Sequence, residues 1–180
     1  MDIIHAIASV QQSDKGSFSS GVGGSMVLGN MAVNHAKYGP MRYGQYDVNG
    51  QRTMGRNNLI DCSGLVTKVL QDNNYAIPTQ NTLSMANRNN PYFERVSPEE
   101  VRPGDIVVWR FKRSSNSAEE GHTGFVKSFN KQTGEITYYG SQSSNGRNQK
   151  SGVAIASNRS GVLKGKTPIF IRPRSQYKKS

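Results

Sequence analysis

Apolar residues recur along the chain at two different spacings. In the first part, spacings of three and four residues predict helices at 3–10, 26–37, about 61–73 and 81–87. In the second part, short β-rich runs lie between turn residues, at 106–109, 123–128, 135–139, 153–156 and 168–171. Helices followed by a series of antiparallel strands are typical of the α+β fold class.

Loop-forming residues separate these elements. Gly and Ser dominate residues 16–25, so we expect residues 1–25 to form a short helix followed by a flexible segment. Residues 26–180 then form one domain that ends in a basic tail. Within it, residues 39–60 read as a long loop rich in Gly, Arg and Asn, and long loops in compact domains are often functional. The turn residues at 131–134 predict a hairpin between two strands.

The composition narrows the class of protein. The chain has 180 residues, of which 34% are hydrophobic and one is a cysteine. This length suits a single domain with its own core, and we expect a monomer. One cysteine excludes an internal disulfide framework and every cysteine-rich zinc module. No apolar run approaches the roughly 20 residues needed to span a bilayer, so we expect no stable membrane insertion.

The chain is strongly basic. It has 23 Lys and Arg against 12 Asp and Glu, a net charge of +11, which favours an anionic partner such as nucleic acid, an anionic membrane surface or a bacterial cell wall. No helix-turn-helix, zinc knuckle or set of stacking aromatic strands is recognisable, so we expect no nucleic-acid partner. The basic residues are scattered apart from a cluster at 172–179, which we interpret as a solvated tail.

The single cysteine lies in the most informative stretch. Residues 61–66 read Asp-Cys-Ser-Gly-Leu-Val, which places Cys62 at the start of a predicted helix. Free backbone N–H groups and the positive end of the helix dipole favour the thiolate there, and the same N–H groups suit an oxyanion. The alternative is a buried cysteine that serves only as a small apolar side chain.

A thiol nucleophile needs a base, and the chain has three histidines. His5 and His35 fall on predicted helices and are expected to be structural. His122 lies where a predicted strand begins, so a rigid sheet would hold its imidazole. The order of Cys62 on a helix followed by His122 on a strand is that of a papain-like site.

Three motifs in this order resemble a known family. Residues 61–66, residues 102–109 (Arg-Pro-Gly-Asp-Ile-Val-Val-Trp) and residues 121–126 (Gly-His-Thr-Gly-Phe-Val) are similar to those of the NlpC-type cysteine peptidases, whose close relatives are the CHAP amidases. The resemblance covers about residues 26–145. It implies a papain-like fold with helices packed on an antiparallel sheet, and cleavage of peptide bonds in bacterial peptidoglycan.

The resemblance also implies roles for individual residues. Cys62 is the expected nucleophile and His122 the expected general acid and base, with no cofactor or metal. Tyr43 resembles the family's upstream tyrosine whose hydroxyl reaches the active site, and Tyr46 is the alternative. Asp61 and Ser63 are expected to shape the helix start. Three arginines are expected either to meet substrate carboxylates or to be solvated loop charges; they are Arg52, Arg56 and Arg147.

A third polar residue normally orients the histidine from the next strand. The usual His, Asn, Asp and Glu are absent from residues 136–142. Gln142 is the candidate, because its side-chain carbonyl can accept an imidazole N–H as an Asn would. Ser141, the backbone of Tyr139 and a plain Cys–His dyad are the alternatives.

The biological setting is inferred from the beginning of the chain. Asp2 stands where a signal peptide needs a basic region, so we expect synthesis in the cytoplasm without a signal peptide. Together with the resemblance, this predicts an antibacterial effector delivered by type VI secretion, active in a target bacterium's periplasm and paired with a cognate immunity protein. A phage endolysin of the same chemistry is an alternative. Two others are thiol acyl transfer or deamidation, and a basic nucleic-acid-binding module with a structural cysteine.

Overall fold

The computed structural model describes residues 31–143 and 151–179. The predicted helix at 3–10 and the Gly/Ser segment at 16–25 lie outside this part of the chain. Three helices are described, α1 (Met31–Tyr38), α2 (Cys62–Asp72) and α3 (Thr82–Ala86). Their positions confirm the predicted helices at 61–73 and 81–87, and the described end of the helix predicted at 26–37. The Gly-Pro pair after Tyr38 cannot extend a helix, which explains where α1 ends.

Eight strands form two sheets. They are β1 (Arg42–Tyr43), β2 (Leu59–Ile60), β3 (Phe93–Val96), β4 (Ile106–Phe111), β5 (Glu120–Asn130), β6 (Glu135–Gln142), β7 (Gly152–Ser157) and β8 (Ile169–Pro173). The first two make a small parallel pair, and the other six form an antiparallel sheet in the order β3-β8-β4-β5-β6-β7. The five predicted β-rich runs are β4 to β8, and the hairpin at 131–134 joins β5 to β6. Both predictions are confirmed.

Strand β3 was not predicted from the sequence. Its four residues alternate poorly, with Glu94 and Arg95 exposed between buried Phe93 and Val96. It is an edge strand that pairs only with β8. These four residues therefore form a strand because they pair with β8, which is distant in sequence, and not because of their own hydrophobic pattern.

The helices pack on one face of the large sheet. The apolar side of α2, which includes Leu65, Val66 and Val69, belongs to the same buried cluster as Phe125 of β5 and Tyr139 of β6. The opposite face carries a second cluster, whose members include Trp109, Phe111, Tyr138, Leu163 and Phe170. Because neighbouring residues of a strand point to opposite faces, each strand contributes to both clusters. This α+β arrangement is the predicted fold class.

The basic C-terminal segment is not simply a solvated tail. Arg172 lies within β8, where its Nε and Nη2 donate to Asp105 Oδ1 at 2.7 Å and Oδ2 at 2.8 Å. Further along, Tyr177 O accepts from the backbone N–H of Ala76 at 2.7 Å, and Lys179 N–H donates to Asn74 O at 2.7 Å. The sequence expectation is therefore wrong for this segment, because its backbone and Arg172 are tied to the rest of the domain.

Among the residues that the structure describes, no helix is both long enough and apolar enough to cross a bilayer.

The buried ion pair gives a stability prediction. Asp105 is fully buried, accepts from the Arg102 backbone N–H at 2.8 Å, and neutralises Arg172. Asp105→Ala should lower the free energy of unfolding by about 3–5 kcal/mol, because it leaves a buried guanidinium unpaired. Urea unfolding followed by circular dichroism measures this change.

The matched control is Glu135→Ala, which removes the partner of the exposed Arg159. It should cost less than about 1 kcal/mol. Equal losses in the two variants would contradict the role given to the Asp105–Arg172 pair.

Candidate active site

The start of α2 is built around the Asp61 side chain. Asp61 is the N-cap residue, and its Oδ1 accepts the backbone N–H of Gly64 at 2.8 Å. A Cβ on Gly64 would lie 2.5 Å from that oxygen, so the tight cap requires glycine. Cys62 is the first helical residue, where backbone N–H groups have no partner within the helix. The Asp61 side chain thus caps the helix that begins at Cys62.

The structure places the Cys62 thiol against the backbone next to His122. The β4–β5 ladder extends to Glu120, but β5 pairs with β6 only as far as Phe125. In the gap between the two strands, the backbone N–H of Thr123 hydrogen-bonds to the Cys62 sulfur. Thr123 directly follows His122, so the thiol lies against the stretch of backbone that carries the histidine.

Two aromatic rings hold the His122 imidazole. The Trp109 ring stacks on it with 6.2 Å between ring centroids and 20° between planes, and Tyr138 meets it edge to face at 5.5 Å. The His122 Nε2 is buried and has no hydrogen-bond partner. Burial lowers the pKa of His122 to about 4, so the imidazole is neutral at physiological pH and able to accept a proton.

Glycines make room for the Tyr138 ring. A Cβ on Gly124 would lie 2.6 Å from Tyr138 Cδ2, and one on Gly140 would lie 3.4 Å from the same atom. Neither Tyr138 nor Trp109 was identified as a site residue from the sequence. The one available signal was the glycine two residues after His122, which allows a large side chain from the next strand to cross β5.

The Cys62 thiol is protonated in the resting protein. Burial and the neighbouring Asp61 carboxylate together raise its pKa to about 12, against the opposing effect of the backbone N–H groups of Ser63 and Thr123. The backbone N–H groups at the helix start thus lower the pKa of Cys62, as expected, but burial raises it by more. Cys62 and His122 are therefore both neutral at rest.

Tyr43 lies near the start of α2. β1 pairs with β2 so that Tyr43 is opposite Ile60, two residues before Cys62. Burial raises the pKa of the Tyr43 phenol, and the nearby Cys62 and Asp61 act in the same direction. The phenol therefore keeps its proton and can donate a hydrogen bond. Tyr46, the alternative, is exposed.

The residues predicted to orient His122 have other partners. Continuing the β5–β6 register would place Gln142 opposite His122, but the Gln142 Nε2 donates to Ala154 O at 3.4 Å. Ser141 Oγ donates to Ile60 O at 2.7 Å and so supports the strand before Cys62. No hydrogen bond joins either side chain to His122 Nε2. The role of Gln142 stays a prediction.

The other candidate residues have structural partners or lie outside the description. Arg52 bonds to Asp61, and Arg56 pairs with Asp47 at 3.2 Å. His35 is buried, and its Nδ1 lies 3.0 Å from Tyr139 Oη, in line with the structural role expected of it. Arg147 and His5 fall outside the described residues. No three His, Cys, Asp or Glu side chains within 31–143 and 151–179 are placed to hold a metal ion.

A groove lies at α3 and the end of β4. Its volume is about 680 Å³, and its lining includes Asn81, Leu83 and Ser84 at α3 and Arg110 at the end of β4. Neither Cys62 nor His122 is among the residues that line it.

A cysteine at the start of a helix that packs on an antiparallel sheet, with a histidine on a strand of that sheet, is the arrangement of the papain-like fold. The sequence profile of the NlpC/P60 family matches residues 43–149, more than half of the chain. The chain therefore belongs to the NlpC/P60 family. Membership confirms the resemblance seen in the motifs.

The fold is also similar to that of a solved protein. The crystal structure of the endolysin LysIME-EF1 matches with a TM-score of 0.50 and 18% sequence identity, over 82% of this chain and 63% of the endolysin chain. This chain thus corresponds to less than two thirds of that endolysin. Comparison with the curated proteins gives no match.

The aromatic contacts at His122 give a prediction. Tyr138→Ala should admit water to the imidazole and raise the pKa of His122 from about 4 towards its ordinary value of 6.5, because burial is what lowers it. The change is measured by an NMR titration of the His122 ring, assigned with His122→Asn.

Tyr138→Phe is the matched control, since it keeps the ring and should leave the His122 pKa near that of the wild type. An unchanged His122 pKa in a folded Tyr138→Ala variant would show that the Tyr138 ring does not exclude water from the imidazole.

Proposed function

We propose that this protein is a cysteine amidase or endopeptidase that hydrolyses an amide bond in the peptide of peptidoglycan through an acyl-enzyme. One observation carries the proposal: the only thiol of the chain sits at a helix start and against the backbone beside a neutral, buried histidine. Membership of the NlpC/P60 family supports peptidoglycan as the substrate.

The first half-reaction forms a thioester. As Cys62 Sγ bonds to the substrate carbonyl carbon, the thiol proton passes to the His122 imidazole. The carbonyl oxygen becomes an oxyanion, and backbone N–H groups at the start of α2 and the Tyr43 hydroxyl are suited to donate to it. His122 then gives its proton to the leaving nitrogen, the C–N bond breaks, and the amine departs.

The second half-reaction releases the acyl group. His122, neutral again, takes a proton from a water molecule while the water oxygen bonds to the thioester carbonyl. The C–S bond then breaks, and the sulfur recovers its proton from His122. Because the imidazole is neutral at the start of each half-reaction, it serves as base and then acid in both.

Two routes to the substrate are proposed. In the first, the protein is a type VI effector that acts in the periplasm of a target cell and is inhibited by an immunity protein in the cell that makes it. In the second, it is a phage endolysin, and the fold similarity to LysIME-EF1 is compatible with this route. In both, the net charge of +11 favours binding to an anionic cell wall.

Digestion of purified sacculi tests the proposed chemistry. The wild type should release new muropeptides, and Cys62→Ala should reduce their rate of release by about a thousandfold or more, because the nucleophile is lost. Mass spectrometry of the soluble fragments measures the rate and identifies the bond that is cut.

Arg159→Gln is the control, because Arg159 is exposed and takes no part in the site. It should digest sacculi at the wild-type rate. An inactive wild type would refute peptidoglycan as the substrate, and undiminished digestion by Cys62→Ala would refute the assigned nucleophile.

A further inference from the structure

The long loop before Cys62 contains a small hairpin, which we call the hairpin arm (residues 45–53). A bridge pairs Tyr46 with Arg52, and Thr53 N–H donates to Gln45 O at 3.0 Å. The turn passes through Gly50, whose φ of 75° suits glycine. Arg52 therefore stands on a fixed backbone next to the site.

Arg52 ties the hairpin arm to the start of α2. Its Nη2 lies 3.1 Å and 3.2 Å from the two Asp61 carboxylate oxygens and donates to Ser63 Oγ at 2.9 Å. Its Nη1 donates to Gln80 O at 3.1 Å. The Arg52 side chain is three-quarters buried and that of Asp61 almost fully so, which leaves little water to screen the pair.

The Asp61 carboxylate has two opposite effects on the site. As the N-cap, it fixes the helix start that places Cys62. As a negative charge next to Cys62, it raises the pKa of the thiol and of the Tyr43 phenol. The Arg52 charge lowers the pKa of Tyr43, so it opposes Asp61 at this site.

We propose that Arg52 is a positioning residue that neutralises Asp61, so that the site keeps the Asp61 cap without repelling the negative charge that forms on Cys62. The inference rests on the proposed function, because only a nucleophilic thiol has to carry that charge. Arg52 acts through Asp61 and does not touch the substrate.

The other ionisable groups around Cys62 come from the sheet and from β1. They are His122 on β5, Tyr138 on β6 and Tyr43 on β1, with Glu120 near Tyr43. None of them is changed in the test below. A shift in the pH dependence of Cys62 alkylation that requires both Arg52 and Asp61 can therefore be attributed to that ion pair.

The test measures how readily Cys62 ionises, without using any substrate. The chain has one cysteine, so the mass gained on reaction with iodoacetamide reports that thiol alone. The reaction rate is followed against pH in wild type, Arg52→Gln, Asp61→Asn and the double variant. Asn is also a good N-cap, so Asp61→Asn removes the charge and keeps the helix start.

The charge account predicts shifts of opposite sign. Arg52→Gln should shift the pH profile upwards by about one unit, because an unpaired carboxylate opposes the thiolate. The shift is measured below the midpoint, where it lowers the alkylation rate at a fixed pH about tenfold. Asp61→Asn should move the profile downwards, because Arg52 is left as an unpaired cation. The double variant should return close to the wild type, and Arg52→Lys, which keeps the charge, should shift less than Arg52→Gln.

Arg159→Gln is the matched control, since Arg159 is exposed and pairs with Glu135, away from Arg52 and Asp61. It should leave the pH profile unchanged. The proposal is overturned if folded Arg52→Gln keeps the wild-type profile or moves it downwards, or if the upward shift persists in the double variant. If Arg52→Gln fails to fold, an absent or upward shift in Asp61→Asn overturns it.

The sacculi digestion separates this inference from the proposed function. An inactive wild type with the predicted alkylation shifts would refute the function and leave the charge pairing in place. If the wild type digests sacculi but the Arg52 variants show no alkylation shift, the proposed function stands and the charge pairing is refuted.

Discussion

The contact between the Cys62 sulfur and the Thr123 backbone N–H is the interaction on which the site depends. It forms because β5 and β6 stop pairing at Phe125, which leaves a gap that the start of α2 fills. The helix is fixed there from both sides, since Asp61 caps it and Ser141 hydrogen-bonds to Ile60 just before it. The fold thus brings together the helix that carries the proposed nucleophile and the strand that carries the proposed base, which are far apart in sequence.

Burial and local dipoles compete at this contact. The backbone N–H groups stabilise negative charge on the sulfur, but desolvation raises the pKa of Cys62 more than they lower it. Desolvation also keeps His122 neutral. A neutral thiol and a neutral imidazole fit a site in which charge develops only during the proposed attack. Fixed hydrogen-bond donors stabilise such developing charge most strongly. Nearby fixed charges, above all those of Asp61 and Arg52, therefore affect how readily the Cys62 thiol ionises.

The sequence allowed α2, the helix start at Cys62 and the strand position of His122 to be predicted, because all of these are encoded locally. Residues 61–66 combine a capping residue with the first apolar turn of a helix, and His122 lies in a strand with a clear β pattern. Trp109 and Tyr138 could not be assigned to the site, because their contact with His122 depends on strand register. The role of Arg52 depends on the path of the hairpin arm, which no periodic pattern encodes.

The most direct test of the account is to capture the acyl group on the enzyme. An activated ester of the wall peptide should acylate the protein faster than water releases the product, so that acid quenching preserves the intermediate. The account predicts a mass gain equal to the acyl group, located on Cys62 by peptide mapping and absent from Cys62→Ala. Hydrolysis of the ester with no adduct, or with an adduct on another residue, would contradict it.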